Sequence, residues 1–306
     1  ESLLDSGFEV HGTVRRSSLE IPDAKLSRIS GILDKLTLHP CSLDSLTGLF
    51  EIVRGVQPDY LYHLGAQSFV SYGFEDEYAT LDTNLGSTHA LLSAVLKFVP
   101  ECRFYFAASS EMFGHSETTP QNESTPFNPR SVYGISKQAG ERWCEYYHNK
   151  FGVDVRSLRY PGLISWKEKP GGGTTDYAIH IYHQALNRQK YECFLSEKTT
   201  LPMMYISDGI RATLELMEAP AEKIKIRSSY NIAGISFNPE EIANTIKKHI
   251  PKFEMSYKLD YRQSIADSWP QSIDDHFAGA HWGWKHQFDL NEITEDMIAN
   301  LRKEYN

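Results

Sequence analysis

A short, almost wholly apolar run, Phe104-Tyr105-Phe106-Ala107-Ala108, leads directly into Ser109 and Ser110. It has no polar face to turn toward water. It therefore predicts a strand covered on both sides, as in a parallel sheet, rather than a half-exposed antiparallel one. Open sheets of this kind hold ligands beyond the carboxyl ends of their strands, which is where Ser109 falls. After a loop broken by Pro120, Pro126 and Pro129, Ser131-Val132-Tyr133-Gly134-Ile135-Ser136-Lys137 opens a helix. Tyr133 and Lys137 are four residues apart and share one helix face. An ammonium beside a phenol favours the phenolate. With the Ser109 hydroxyl holding a substrate oxygen, these residues supply a base, its activator and a hydrogen-bond donor. Tyr-x-x-x-Lys by itself also fits an amphipathic helix with a half-buried Tyr and a solvated Lys. It is the order of strand, Ser-Ser, spacer and Tyr-x-x-x-Lys that points to chemistry.

The other segments fit an alternating α/β chain. Glu1–Ser6 reads as the end of a helix closed by Gly7, and Phe8–Val14 as a strand. No Gly-rich phosphate turn precedes that strand, so about 20 further residues upstream are expected for a complete dinucleotide fold. Arg15 and Arg16 follow the strand where an acid commonly accepts from the ribose of NAD. Their charge leans toward the extra phosphate of NADP, or else they are two solvated arginines. Leu36–Leu38 is the expected third strand, leading to Ser42 and Leu43 near an adenine. Ser45–Val56 is a helix with Asp44 or Ser45 as its cap. Tyr60–Leu64 is a strand ending at Gly65-Ala66-Gln67-Ser68, a small-residue turn that lets backbone approach a cofactor, with Leu64, Gly65 and Ala66 as the candidate contacts. Asp82–Leu96 is a helix carrying Asn84. Val153–Tyr160 is another apolar strand, with Tyr160 and Pro161 at its ligand end. Residues 1–164 are thus expected to form the dinucleotide-binding domain. Residues 165–306 form mainly a smaller substrate lobe, with some elements returning to the first domain. Lys167–Thr175, with its Gly171-Gly172-Gly173 run, has the place of a lid or of a plain surface loop. Asp176 follows as a helix cap, and Ser207-Asp208 as a second one.

The composition is that of an ordinary globular protein, 41% hydrophobic and 23% charged over 306 residues. A formal net charge of −9 argues against nucleic acid as the main partner. No apolar run reaches 18 residues, so no membrane span is expected. Cys41, Cys102, Cys144 and Cys193 are scattered without metal-type spacing, which suggests reduced thiols, a cytoplasmic protein and no bound metal.

The Ser109, Tyr133 and Lys137 set resembles that of the extended short-chain dehydrogenase/reductase superfamily. The resemblance implies a Rossmann-type doubly wound parallel sheet with a C-terminal substrate lobe. From Ser131 onward the chain resembles the short-chain L-threonine 3-dehydrogenases, through Ser131–Tyr147, Leu158–Trp166, Gly171–Tyr177, Leu201–Tyr205 and Ile265–Asp275. In that family threonine is oxidised at its β-carbon to 2-amino-3-ketobutyrate and NAD takes the hydride. This likeness implies Ser71, Ser109, Thr174, Thr175 and Trp269 as substrate contacts. Asn84, Tyr133, Lys137, Tyr160 and Pro161 would line the cofactor. Trp269 equally suits a core position. The stretches Gly7–Ser18, Leu64–Val70 and Ala108–Gly114 resemble sugar-nucleotide dehydratases instead, notably GDP-mannose 4,6-dehydratase. Those enzymes carry a Glu two residues beyond the catalytic hydroxyl, here Glu111. The alternative implied is an NADP-dependent sugar-nucleotide 4,6-dehydratase or epimerase. Both families form homodimers through the helix after Asp82 and the Tyr133 helix, and a monomer remains an alternative.

Overall fold

The computed structural model describes residues 1–21, 26–68 and 76–305. Its first half alternates strands and helices. β1 (Val10–Val14) and β2 (Leu36–Pro40) pair in parallel as a two-stranded sheet. β3 (Tyr60–His63), β4 (Arg103–Ser109) and β5 (Val155–Tyr160) form a parallel sheet in that order. Among the described residues no ladder joins β1 to β3, although the Phe8 and Tyr60 rings meet edge to face at 5.6 Å.

The second half contributes β6 (Gly162–Ile164), β7 (Lys190–Cys193), β8 (Leu201–Tyr205), β9 (Tyr230–Asn231), β10 (Ile235–Phe237) and β11 (Glu254–Tyr257). β9 returns to pair with β5 and completes the order β3-β4-β5-β9. The others build the lobe as a β10-β8-β6 sheet and a β11-β7 pair.

Helix-to-strand packing positions the site. The Val132–Phe151 helix lies against β4 at Gly140, where a Cβ would come within 2.6 Å of the Phe106 ring, so only glycine allows the approach. Ser131 caps this helix by accepting from Gly134 N at 3.0 Å. β5 is buried along its length although it carries two arginines. Arg156 donates to the carbonyls of Leu216, Met217 and Ala219 at 2.6–2.9 Å. It thereby satisfies orphan groups at the end of the Ile206–Glu218 helix and staples that helix to the sheet.

Several expectations shift. The stretch from Asp82 is not one regular helix. A helix over Glu77–Leu81 passes through a π-helical turn at Asp82–Gly86 before Ser87–Phe98 resumes α geometry. Ser45 makes no side-chain cap bond. Asp208 is no cap either. Its buried carboxylate accepts from the Gln287 and Phe288 amides and pairs with Arg211, tying the C-terminal segment down. The four cysteines are buried and free. Among the described residues no helix is long and apolar enough to cross a membrane.

Candidate active site

Ser109 ends β4, and its hydroxyl accepts from the Glu111 amide at 3.2 Å and lies close enough to the Tyr133 phenol to favour its ionised form. Tyr133 and Lys137 project from the first turns of the capped helix, as their spacing predicts. Lys137 Nζ donates to Ala107 O at 2.7 Å and lies 5.7 Å from the Tyr133 ring centre. The structure therefore brings the three expected catalytic residues together.

The electrostatics differ from the expectation. Burial pushes Tyr133 up to about 12; the Ser109 hydrogen bond opposes this, and the nearby Glu111 charge adds to it. Burial also pulls Lys137 down to about 8. In the protein alone, loss of water sets the direction for the phenol, contrary to the reading from spacing. Glu111 is 9% exposed, and burial pushes it up to about 7 despite a 3.0 Å hydrogen bond from the Ser131 hydroxyl.

Asn84 proves to be a clamp. Its side chain accepts from Gln67 N at 2.7 Å, donates to Gln67 O at 3.0 Å and donates to Ser136 Oγ at 2.9 Å. It thus holds the turn after β3 against the catalytic helix, and the π-helical turn carries it there. Two elements of this site escaped the sequence reading. His63, at the end of β3, is buried and pulled down to about 3, chiefly by burial and then by Lys137. It holds Thr88 Oγ1 at 3.0 Å. Below the catalytic face, Glu141 receives Arg159 at 2.6 and 3.0 Å, both side chains being fully buried. The only hint was a Glu four residues after Lys137.

The cofactor candidates divide. Arg15 and Arg16 stand exposed after β1, Arg16 beside Glu20 at 3.6 Å. Ser42 and Leu43 follow β2. Leu43 lies 3.0 Å from where a Gly65 Cβ would stand, so this segment packs on the Leu64-Gly65-Ala66 turn. Leu64 is 60% exposed there, an apolar surface at the ligand end of β3. These strand ends and Lys137 fit a dinucleotide. The Tyr160 hydroxyl does not face it. Tyr160 bonds Tyr105 and Thr213 within the core, leaving only backbone at Tyr160 and Pro161 to approach a ligand.

Among the substrate candidates, Ser71 lies outside the described residues. Thr174 is buried, and the Thr175 methyl lies 2.7 Å from where a Gly162 Cβ would stand, just beyond β5. Asp176 does not cap its helix by its side chain. It turns back to accept from Gly171 N and Gly173 N at 2.7 and 2.8 Å, and so shapes the loop. Trp269 packs against the apolar core of the lobe. A groove of about 1090 Å³ is lined by Lys169–Gly172, Tyr191, Phe194 and Arg262 but not by Ser109 or Tyr133.

The family model for GDP-mannose 4,6 dehydratase matches residues 1–297. The L-threonine 3-dehydrogenase, mitochondrial, of Bos taurus is 42% identical over 254 residues, 82% of this chain and 66% of that protein. The chain therefore spans just under two thirds of the bovine protein's length. The solved GalE-like L-threonine dehydrogenase from Cupriavidus necator (holo form) superposes with a TM-score of 0.84 at 41% identity. That match covers 96% of this chain and 100% of the other. A monomeric L-threonine 3-dehydrogenase from a metagenome gives 0.83 at 38%, covering 97% and 100%. The threonine dehydrogenase likeness thus runs well beyond the half after Ser131, and the dehydratase likeness well beyond the half before it. With its serine, tyrosine and lysine at the end of a parallel sheet, the chain belongs to the extended short-chain dehydrogenase/reductase family.

Proposed function

We propose that this protein oxidises L-threonine at its β-carbon to 2-amino-3-ketobutyrate. The observation that carries the reading is the grouping of the Ser109 hydroxyl, the Tyr133 phenol and Lys137, whose Nζ lies 5.7 Å from the Tyr133 ring centre and bonds Ala107 O, at the open end of β4. The threonine dehydrogenase relatives, matched along most of the chain, support the choice of substrate. Arg15, Arg16, Ser42, Leu43, the Leu64-Gly65-Ala66 turn, Asn84, Lys137 and the backbone at Tyr160-Pro161 would hold NAD. When bound, NAD supplies the hydride acceptor and a positive charge near the phenol. Tyr133 removes the β-hydroxyl proton, Ser109 orients the oxygen and stabilises the growing carbonyl, and Lys137 favours the phenolate. Thr174 and Thr175 approach from the loop over the pocket, and Ser71 and Trp269 complete the proposed substrate set.

Because Tyr133 must ionise from well above neutrality, turnover rises from pH 7 toward pH 10. Reduced cofactor followed with L-threonine, using NAD and NADP in parallel, tests the reading. Absence of turnover with both sinks it, and a preference for NADP assigns Arg15 and Arg16 to the extra phosphate. The buried Glu111 favours a second reading, an NADP-dependent sugar-nucleotide 4,6-dehydratase or epimerase. Conversion of GDP-mannose would establish it. The helices over Ser87–Phe98 and Val132–Phe151 are the proposed dimer face. Tyr146 and Phe151 stand 48% and 45% exposed on the second of them. Mass by light scattering separates a dimer from a monomer.

A further inference from the structure

We infer that Glu111 receives the α-ammonium of the substrate and so makes the site selective for β-hydroxy amino acids over plain β-hydroxy acids. This rests on the reading just given, that the reacting hydroxyl lies at Ser109 and Tyr133. In such a substrate the nitrogen sits on the carbon next to the carbinol. With bonds of about 1.5 Å it stays within about 4 Å of the reacting oxygen. Glu111 is a buried acid at that end of β4. It follows Ser109 by two residues, its amide bonds the Ser109 hydroxyl, and its charge reaches the Tyr133 phenol.

Among the described residues the carboxylate has no partner of opposite charge. Oε1 accepts from the Ser131 hydroxyl at 3.0 Å, and Oε2 has no hydrogen-bond partner among the described residues. The Lys137 ammonium is turned to Ala107 O. A carboxylate this buried ionises at high cost until a cation arrives. The substrate ammonium is a cation of the right charge at the right distance. Its arrival also cancels the negative charge that holds the Tyr133 proton in place, so binding and base activation are coupled. A ligand without the amine leaves the carboxylate unpaired, which is the condition under which a polar site discriminates strongly.

The test compares L-threonine with (R)-3-hydroxybutyrate, which keeps the carbinol and carboxylate but lacks the amine. The analogue is read as substrate or, if it is not oxidised, as a competitive inhibitor. In Glu111→Gln, which keeps an acceptor for Ser131, the KM for L-threonine rises about 10- to 100-fold. The constant for (R)-3-hydroxybutyrate stays within about twofold or improves. Glu111→Asp, which keeps the charge with a shorter reach, falls between wild type and Glu111→Gln, and supports the role even if the Gln variant does not fold. An unchanged KM for L-threonine, or an equal loss on both ligands, overturns the assignment and leaves Glu111 as a brace for the helix cap. Wild-type protein that turns over no L-threonine overturns the functional reading, and this inference with it.

Discussion

The sheet that carries the Val132–Phe151 helix and the lobe built beyond β5 are stabilised in different ways. Between β4 and β5 the buried side chains include Glu111, Lys137, Glu141, Arg156 and Arg159. Beyond β5, Asp208 is the one buried charged side chain among the described residues. The lobe's core is instead a continuous apolar cluster running from Ile164 through Tyr182, Met203 and Ile242 to Leu301. Apolar packing tolerates rearrangement as long as volume is kept. Buried charges tolerate little, because each requires a partner in place. The half proposed to hold the reacting atoms uses the less forgiving interactions.

Four experiments would break or sharpen this contrast. The largest effect is expected at Tyr133. Tyr133→Phe lowers kcat/KM by about 10³-fold or more, while cofactor affinity and the unfolding midpoint hold. Normal turnover would show that the polar half is not the catalytic one. Next comes the buried ion pair. Glu141→Ala strands Arg159 and lowers unfolding free energy by about 3–5 kcal/mol in denaturant titration. Replacing both members by apolar residues, Glu141→Leu with Arg159→Met, recovers most of that loss. If the double variant is no better than the single one, the pair matters for more than charge balance. In the lobe, Ile242→Ala costs about 2–4 kcal/mol from lost packing, with kcat at 25 °C little changed. A collapse of kcat there would mean that the two halves are not separable.

The smallest effect concerns Glu111 and pH. Its folded value, about 7, lies above the ordinary 4.5. The folded state therefore holds the proton more tightly than the unfolded one, and the contribution is fully present below pH 4.5. It is lost as pH rises through 7. Glu111→Gln removes that loss. The variant should gain about 1–3 kcal/mol over wild type at pH 8, with the gain fading toward pH 4.5. A gain independent of pH would place the cost elsewhere than in ionisation.

Much of the architecture was legible because parallel strands write themselves as apolar runs. β3 and β4 lie close to where their apolar runs put them. β6 and β10 were too short, at three residues each, to show a period. β5 was legible as a strand, but its arginines were not legible as buried. Their partners, Glu141 and the carbonyls near Leu216, come from elements whose arrival depends on tertiary packing. At the site, spacing along a helix and position after a strand were enough to expect Ser109, Tyr133 and Lys137 beside one another, as the structure has them. Spacing carries no information about dehydration, which is why the direction of the Tyr133 shift was missed. Tyr160 was likewise placed at the correct strand end, with its hydroxyl on the opposite side of the sheet.

The wide turn at Asp82–Gly86 holds one more residue than an α-helix would fit there. Deleting a single residue, such as Thr83, would let the segment wind as regular helix and would look harmless by propensity. Each residue of an α-helix advances the face by about 100°, so the deletion would swing Asn84 away from the Gln67 backbone and Ser136. The helix would gain regularity while the two walls of the pocket came unlatched. A locally relaxed sequence is therefore the wrong one at this point, and redesigns that optimise helicity across residues 77–98 should leave the bulge untouched.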